Sequence, residues 1–311
     1  MKPLPASVDV VVIGAGVIGL ATALELALRG STVCVVERGE AGRQCSWAGG
    51  GMLIPVPPEQ PSPYVQSLLV QSQQMYPAYC ARLHDETAID PEYWPCGARF
   101  IQGSAEQWLP NVAQVRNPRL LKALCRALEL LQVPLIEHTR ALGWVLEGNR
   151  LEGVSTSTGN IACRQAVLAA GAWSSELSGL EIKPVKGQML LLRARPGQLD
   201  HIRISNHVYL IPRRDGRILL GSTVEDVGFD IQTTPQARAI LLEQGSTLWP
   251  ELSKLDIENQ WTGLRPVAPD EQPVFGPCAK VNGLFYNTGH YRLGITLAPV
   301  SAERLVNMMV V

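Results

Sequence analysis

Charge is scarce and evenly split in this 311-residue sequence. Lys and Arg number 27 and Asp and Glu 28, together 18% of the chain, for a net charge of -1. So balanced a surface attracts neither a polyanion nor an anionic bilayer, which argues against nucleic acid or a membrane surface as partner. Paired cysteines are missing as well. Seven thiols, an odd number, are scattered at Cys34, Cys45, Cys80, Cys96, Cys125, Cys163 and Cys278 with no CxxC among them. That pattern offers neither a disulfide framework nor zinc-type spacing, and it predicts reduced thiols in a cytoplasmic protein without a metal site. The opening MKPLPASVDVVVIGAG lacks the basic stretch, isolated apolar core and small-residue cleavage site of an export signal. Internal repeats and low-complexity tracts are absent too. The apolar run from Val10 to Leu28 has the length of a membrane span, but Gly14, Gly16 and Gly19 interrupt it at the spacing of a tight turn, so no stable membrane insertion is expected.

What is present begins inside that run. Hydrophobic residues make up 46% of the chain, enough for a large core in one or two domains. The segment VDVVVIGAGVIGLATALELALRGSTVCVVERG reads as strand, glycine turn, helix and second strand, the βαβ unit that binds dinucleotides. Gly14 permits the turn, Gly16 lets the backbone approach a pyrophosphate, and Gly19 lets the helix lie close to the strand. The phosphates would meet the helix start at Val17 and Ile18, where free N–H groups and the helix dipole favour negative charge. Glu37 follows Gly19 by 18 residues, at the end of the second strand. A carboxylate there accepts from ribose hydroxyls and repels the extra phosphate of NADP.

An NAD enzyme of this type should continue directly into more alternating strands and helices. Instead RQCSWAGGGMLIPVPPEQPSP reads as a long loop, with Gly49 to Gly51 leaving backbone free to lie against a flat or phosphorylated ligand. Helical periodicity is predicted over residues 64–84 and 118–132, and a buried strand over QAVLAAGAWSSEL returns to a small-residue turn at Ala169 to Ala172, which includes Gly171. From about residue 184 to 267 alternating segments such as VKGQMLLLRAR, HVYLIPR and GRILLGSTV predict antiparallel strands around one helix near 235–248. The fold class is therefore α/β (α+β). We expect a discontinuous Rossmann-like domain of residues 1–62, 118–183 and 268–311, and a second domain of residues 63–117 and 184–267 built on an antiparallel sheet.

Six segments in order, ERGEAGRQCSWAGGGML, VLAAGAWSSEL, PVKGQMLLL, HVYLIPRRDGRILLGSTVE, WTGLRPVAPDEQPVFG and GHYRLGITLAP, resemble the FAD-dependent D-amino acid oxidase superfamily, and within it the glycine oxidases of thiamine biosynthesis. The resemblance implies FAD as cofactor. It places Val17 and Ile18 at the pyrophosphate, Glu37 and Arg38 at the adenosine end, Ala141 at the adenine by its backbone, and Cys45, Ser46, Gly50, Gly51 and Met52 on the flavin side of the long loop. The stretch His290, Tyr291, Arg292, Leu293, Gly294, Ile295 and Thr296 would wrap the flavin ring, with the start of the last helix stabilising negative charge on the reduced cofactor.

For substrate, Arg265 resembles the carboxylate-binding arginine of the family, and a planar guanidinium can hold both carboxylate oxygens at once. Arg292 would make a second contact, and Tyr209 would complete the site with Met52 beside it. His207, two residues from Tyr209 on a predicted strand, would share its face and serve either as a contact or as a structural histidine. The implied chemistry is hydride transfer from Cα to flavin N5 with O2 as the final acceptor, releasing H2O2 and an imine destined for hydrolysis or for the thiazole of thiamine. A neutral amine needs no side-chain base, and no catalytic residue is nominated. Two departures stand out. The stretch between Phe100 and Pro118 is shorter than in relatives by several tens of residues, and Leu293 stands where an Asn is common. Alternatives are a sarcosine-type oxidase, a D-amino acid dehydrogenase serving a quinone, and a flavin-binding protein without turnover. The sequence is equally compatible with a single chain and a homo-oligomer.

Overall fold

The computed structural model describes residues 3–54 and 62–309. Strand β1 (Ser7–Ile13), helix α1 (Val17–Leu28) and strand β2 (Val33–Val36) form the expected unit, with Val10 to Ile13 parallel to Val33 to Val36. Parallel strands of this kind are covered on both faces, and so these two read as unbroken apolar runs instead of alternating ones. The glycine turn between β1 and α1 closes only without side chains. A Cβ on Gly14, which sits at φ +102, would overlap the Ala169 carbonyl oxygen, and one on Gly19 would overlap the Gly14 carbonyl oxygen.

The glycine-rich stretch is less irregular than expected. It contains one helical turn, α2 (Cys45–Ala48), and a short strand, β3 (Met52–Leu53), while its proline-rich continuation, residues 55–61, lies outside the described residues. Helix α3 (Pro63–Thr87) is capped by Ser62, whose hydroxyl accepts from the Val65 N–H. There follow a hairpin of β4 (Ala98–Gln102) and β5 (Ala105–Leu109), then β6 (Ala113–Gln114) paired with β3, and helix α4 (Asn117–Leu130). The chain returns beside β2 as β7 (Leu135–Ile136) and continues through β8 (Ala141–Glu147), β9 (Arg150–Thr156), β10 (Gly159–Leu168) and the turn α5 (Ser175–Ser178). It then runs through β11 (Lys183–Arg193), β12 (Ile202–Ile204), β13 (Tyr209–Pro212), β14 (Arg217–Gly221) and helix α6 (Pro235–Leu248). The last elements are β15 (Asp256–Val267), β16 (Val274–Pro277), β17 (Leu284–Thr288) and α7 (Gly294–Met308).

Two sheets result. The first runs β16-β17-β10-β1-β2-β7, parallel from β17 to β7, with β9 also on β10 and β8 on β9. The chain leaves β1 on one side toward β2 and β7 and later returns on the other side through β10 and β17. The switch of direction therefore falls at β1, and ligands of such sheets bind beyond the strand C-termini at that point. The second sheet runs β15-β11-β14-β13-β12-β4-β5 and is antiparallel except where β12 lies parallel to β4.

The buried faces of α1 and α4 share one apolar core with Tyr76, Cys80 and Leu83 of α3. Helix α3, which the sequence division groups with the second sheet, is also tied to α7. Ser72 Oγ donates to the Thr296 carbonyl at 2.5 Å, and the Tyr76 hydroxyl donates to the Ile295 carbonyl.

Candidate active site

A cavity of about 780 Å³ opens at the C-terminal ends of β1, β2 and β10 and extends to the face of β11, β13 and β15. At its first end Gly14, Gly16, Val17 and Ile18 line the wall, so the start of α1 and its dipole face the cavity. Gly19 does not line it; its part is the close approach of helix to turn already described. The Val17 N–H is partly committed, because it donates to Ser46 Oγ at 2.9 Å and so joins the helix start to the glycine loop.

Glu37 is buried. Its Oε2 accepts from the Ala15 N–H at 2.8 Å and its Oε1 from the Gly39 N–H at 2.9 Å. Each oxygen keeps a second lone pair for a hydroxyl from the cavity. Arg38 lies 4.6 Å from the Trp173 ring centre, and with Ala141 of β8 and Gly171 these residues close this end.

Next comes the loop that carries Cys45, Ser46, Gly50, Gly51 and Met52, all of which line the cavity. Glycine is required here. A Cβ on Gly51, at φ +74, would overlap the Val115 carbonyl oxygen and Asn117 Oδ1, and one on Gly50 would stand 2.7 Å from Ile211 and 3.2 Å from the Tyr209 ring. Burial pushes the Cys45 thiol up, against the pull of nearby Arg265. It is therefore a thiol, not a thiolate, at neutral pH.

The stretch His290 to Thr296 forms the opposite wall. His290 is buried, its Nε2 has no hydrogen-bond partner among the described residues, and burial holds its pKa at about 3, so the ring is neutral. Asn287 Oδ1 is a second buried atom on the same wall without a partner among the described residues, while its amide donates to Thr22 Oγ1 at 3.0 Å. Each belongs to a residue that lines the cavity, and a buried polar atom without a partner is one that a polar ligand can satisfy. Together with the side-chain-free cradle of Gly14, Gly16, Gly50 and Gly51, they fit a dinucleotide whose ring system reaches from the glycine loop to the start of α7. Leu293 supplies only apolar surface to this wall, as expected from its side chain.

On the second sheet, Arg265 of β15 faces the cavity. Its Nη2 donates to Ser222 Oγ at 2.6 Å and its Nη1 to the carbonyls of Thr223 at 3.2 Å and Lys186 at 3.4 Å. Among the described residues no carboxylate forms an ion pair with it. It lies against Gly187, where a Cβ would overlap the guanidinium. Tyr209, Met52 and the exposed Arg292 share the cavity wall, and Arg292 Nη2 donates to the Tyr291 hydroxyl at 3.1 Å.

One expectation about this group is corrected. His207 is not on the strand with Tyr209; β13 starts at Tyr209, and His207 lies exposed in the preceding bend, its N–H donating to Ser205 Oγ at 3.2 Å. The Ser205 side chain, by accepting from His207 and Val208, breaks the pairing two residues early. His207 still lines the cavity rim. Gly187, Ser222 and Trp173 are lining residues that sequence reasoning missed. Only Gly187, inside an otherwise bulky strand, left a signal.

Comparison with known proteins places this arrangement among relatives. The DAO family, described as FAD dependent oxidoreductase, matches residues 9–109 and 104–308. A glycine oxidase of Pseudomonas aeruginosa is 42% identical over 96% of this chain and 94% of its own length. That alignment runs over 342 positions although 96% of 311 residues is about 299, so the relative carries some four tens of residues with no counterpart here. The family match divides within residues 104–109, in the β4–β5 hairpin, where the sequence reading puts the shortening. A bifunctional ThiO/ThiG protein of Trichormus variabilis is 35% identical over 97% of this chain, which spans 52% of that longer protein. Among solved structures, glycine oxidase from Geobacillus kaustophilus superposes with a TM-score of 0.93 at 26% identity, over 98% of this chain and 95% of its own.

Proposed function

Because the chain belongs to the DAO family of FAD-dependent oxidoreductases and acts on the CH–NH2 group of amino acids, we propose that its substrate is glycine, with sarcosine and small D-amino acids as further substrates. The observation that carries this reading is Arg265: a guanidinium facing the cavity and held only by neutral acceptors, with no ion-pair partner among the described residues. FAD, when bound, supplies the acceptor for the hydride that leaves Cα, and O2 is the acceptor that closes the cycle with release of H2O2.

The chain's own residues bind, orient and exclude water. Glu37 would take the ribose hydroxyls, the start of α1 the pyrophosphate, and the walls formed by Gly50 to Met52 and by His290 to Thr296 the flavin. Arg265 would grip both carboxylate oxygens in parallel, and Tyr209, standing over Gly50, would complete the grip while Arg292 closes the outer side. The carboxylate then has one orientation, which fixes the Cα–H relative to the glycine loop and confers the rate advantage of positioning. Met52, Ile54, Met189 and Ile204 give the same pocket an apolar wall that keeps water from the reacting carbon. His290, buried and neutral, is not suited to take a proton, and His207 sits exposed at the rim. Neither histidine is needed as a base if the amine arrives unprotonated.

The imine product would go to the thiazole of thiamine, a reading supported by the relative in which a chain like this one is joined to a second unit in the ThiO/ThiG protein. Seven free cysteines support a cytoplasmic location, and no helix among the described residues is long and apolar enough to cross a membrane.

The test is peroxide release and oxygen uptake over a panel of glycine, sarcosine, D-alanine and D-proline. Equimolar peroxide with glycine supports the reading. Turnover of the panel with an added quinone but no peroxide would replace the oxidase by a dehydrogenase.

A further inference from the structure

The carbonyls of the glycine loop are all held from behind. Trp261 Nε1 donates to the Ala48 carbonyl at 3.0 Å, Asn117 Nδ2 to that of Gly49 at 2.9 Å, Arg213 Nη2 to that of Gly50 at 2.7 Å, and the Val115 N–H to that of Gly51 at 2.9 Å. In a trans peptide the N–H points opposite to the carbonyl of the same unit. Drawing the Gly49 and Gly50 carbonyls toward Asn117 and Arg213 thus turns the N–H groups of Gly50 and Gly51 the other way. Both glycines line the cavity.

Arg213 is the unusual member of this set. It follows β13, its side chain is buried, and its Nη1 donates to Gln114 Oε1 at 2.7 Å and the Val115 carbonyl at 3.0 Å. Its acceptors among the described residues are all neutral. The neighbouring acids are engaged elsewhere: Glu92 and Asp215 pair with Arg116 at 3.3 Å and 2.9 Å. Burial holds the Arg213 pKa at about 10, still high enough to keep it charged at neutral pH. A buried cation without a carboxylate is unfavourable unless negative charge develops near it.

We propose that Arg213 is a positioning residue for the flavin: by gripping the Gly50 carbonyl it aims and strengthens the Gly51 N–H as a donor into the cavity, Asn117 does the same for Gly50, and the pair raises the flavin's reduction potential. A cation on a peptide oxygen polarises the whole amide and makes its N–H a better donor. Reduction places negative charge on the flavin ring, so fixed donors backed by a buried cation favour the reduced form. The inference rests on the cofactor and not on the identity of the amino acid, and it is tested without any substrate.

The measurement is the two-electron midpoint potential of FAD-loaded protein, taken by anaerobic equilibration with redox dyes. Arg213→Met should keep FAD and shift the reduction equilibrium about tenfold toward the oxidised flavin, which is about 30 mV for a two-electron couple. Gln114→Glu leaves the arginine in place but gives it a carboxylate, and should move the potential in the same direction. Arg213→Lys should recover part of the Met shift, because an ammonium keeps the charge without the fork. Potentials unchanged from the parent in flavin-loaded Arg213→Met and Gln114→Glu overturn the proposal. If the Met variant does not fold, an unchanged potential in Gln114→Glu overturns it alone.

Discussion

Replacing Arg265 by alanine removes a cavity-facing guanidinium that can hold a carboxylate at two points. In the structure the guanidinium makes three hydrogen bonds, to Ser222 Oγ and to the carbonyls of Thr223 and Lys186. None of these acceptors carries charge, and the half-buried site lets water replace the lost partner, so the variant should fold. The loss falls instead on the substrate. A bond from a charged donor contributes about 1.5–3 kcal/mol, so two parallel bonds to a carboxylate correspond to a fall in kcat/KM for glycine of about 10²-fold or more. The flavin spectrum should be nearly unchanged, since Arg265 lies on the second sheet. A primary amine without a carboxylate should be a poor substrate for the parent and lose little further in the variant. Arg265→Lys should regain only part of the activity, because an ammonium cannot present two parallel donors. The assay is initial-rate kinetics on glycine and on such an amine with both proteins loaded with FAD. Equal kcat/KM for glycine in parent and Arg265→Ala would refute the clamp.

Three further perturbations act on other parts of the site. Gly187→Ala would force the Arg265 guanidinium aside, as a Cβ there overlaps it, and should lower kcat/KM for glycine by about 10²-fold, the effect of an ångström-scale misplacement; retained activity would show that the guanidinium is not held where it acts. Glu37→Ala removes a buried acceptor of the Ala15 and Gly39 N–H groups and should weaken FAD binding by about 1–3 kcal/mol, read by flavin titration of the apoprotein; unchanged affinity would mean that no ribose reaches it. His290, held at a pKa of about 3 by burial, stays neutral in the fold but protonates near its ordinary value when unfolded. Stability should therefore be complete above about pH 6.5 and fall with pH by up to about 1.4 kcal/mol per unit below it. Urea unfolding at pH 7.5 and 5.5 should show a smaller acid loss in His290→Gln than in the parent, and equal losses would contradict the burial of a neutral ring.

The first half of the site was legible because local rules suffice there. Gly14, Gly16 and Glu37 line the cavity from one βαβ unit whose strands, turn and helix are each written in a dozen residues or fewer. The helices at 64–84 and 118–132 were likewise visible from periodicity, and appear as Pro63–Thr87 and Asn117–Leu130. What sequence could not show was contact at long range. Ser222 and Gly187 matter only because β15 lies antiparallel to β11, with Val185 opposite Arg265. Trp173 joins the site by stacking near Arg38, far away in sequence. The error at His207 had a local cause: alternation extends through residues 207–211, but the Ser205 hydroxyl competes for the backbone and delays the strand. Arg213 and Asn117 read as ordinary polar residues until the fold set them behind the glycine loop.

On the proposed function, this chain takes two electrons from Cα of a small amino acid into bound FAD. Mixing the purified yellow protein with glycine in the absence of oxygen tests it most directly, because no electron acceptor other than the flavin is present. The visible flavin band should be lost in a single turnover and return, with release of peroxide, when oxygen is admitted. A flavin band that persists with glycine, sarcosine and small D-amino acids alike would contradict it.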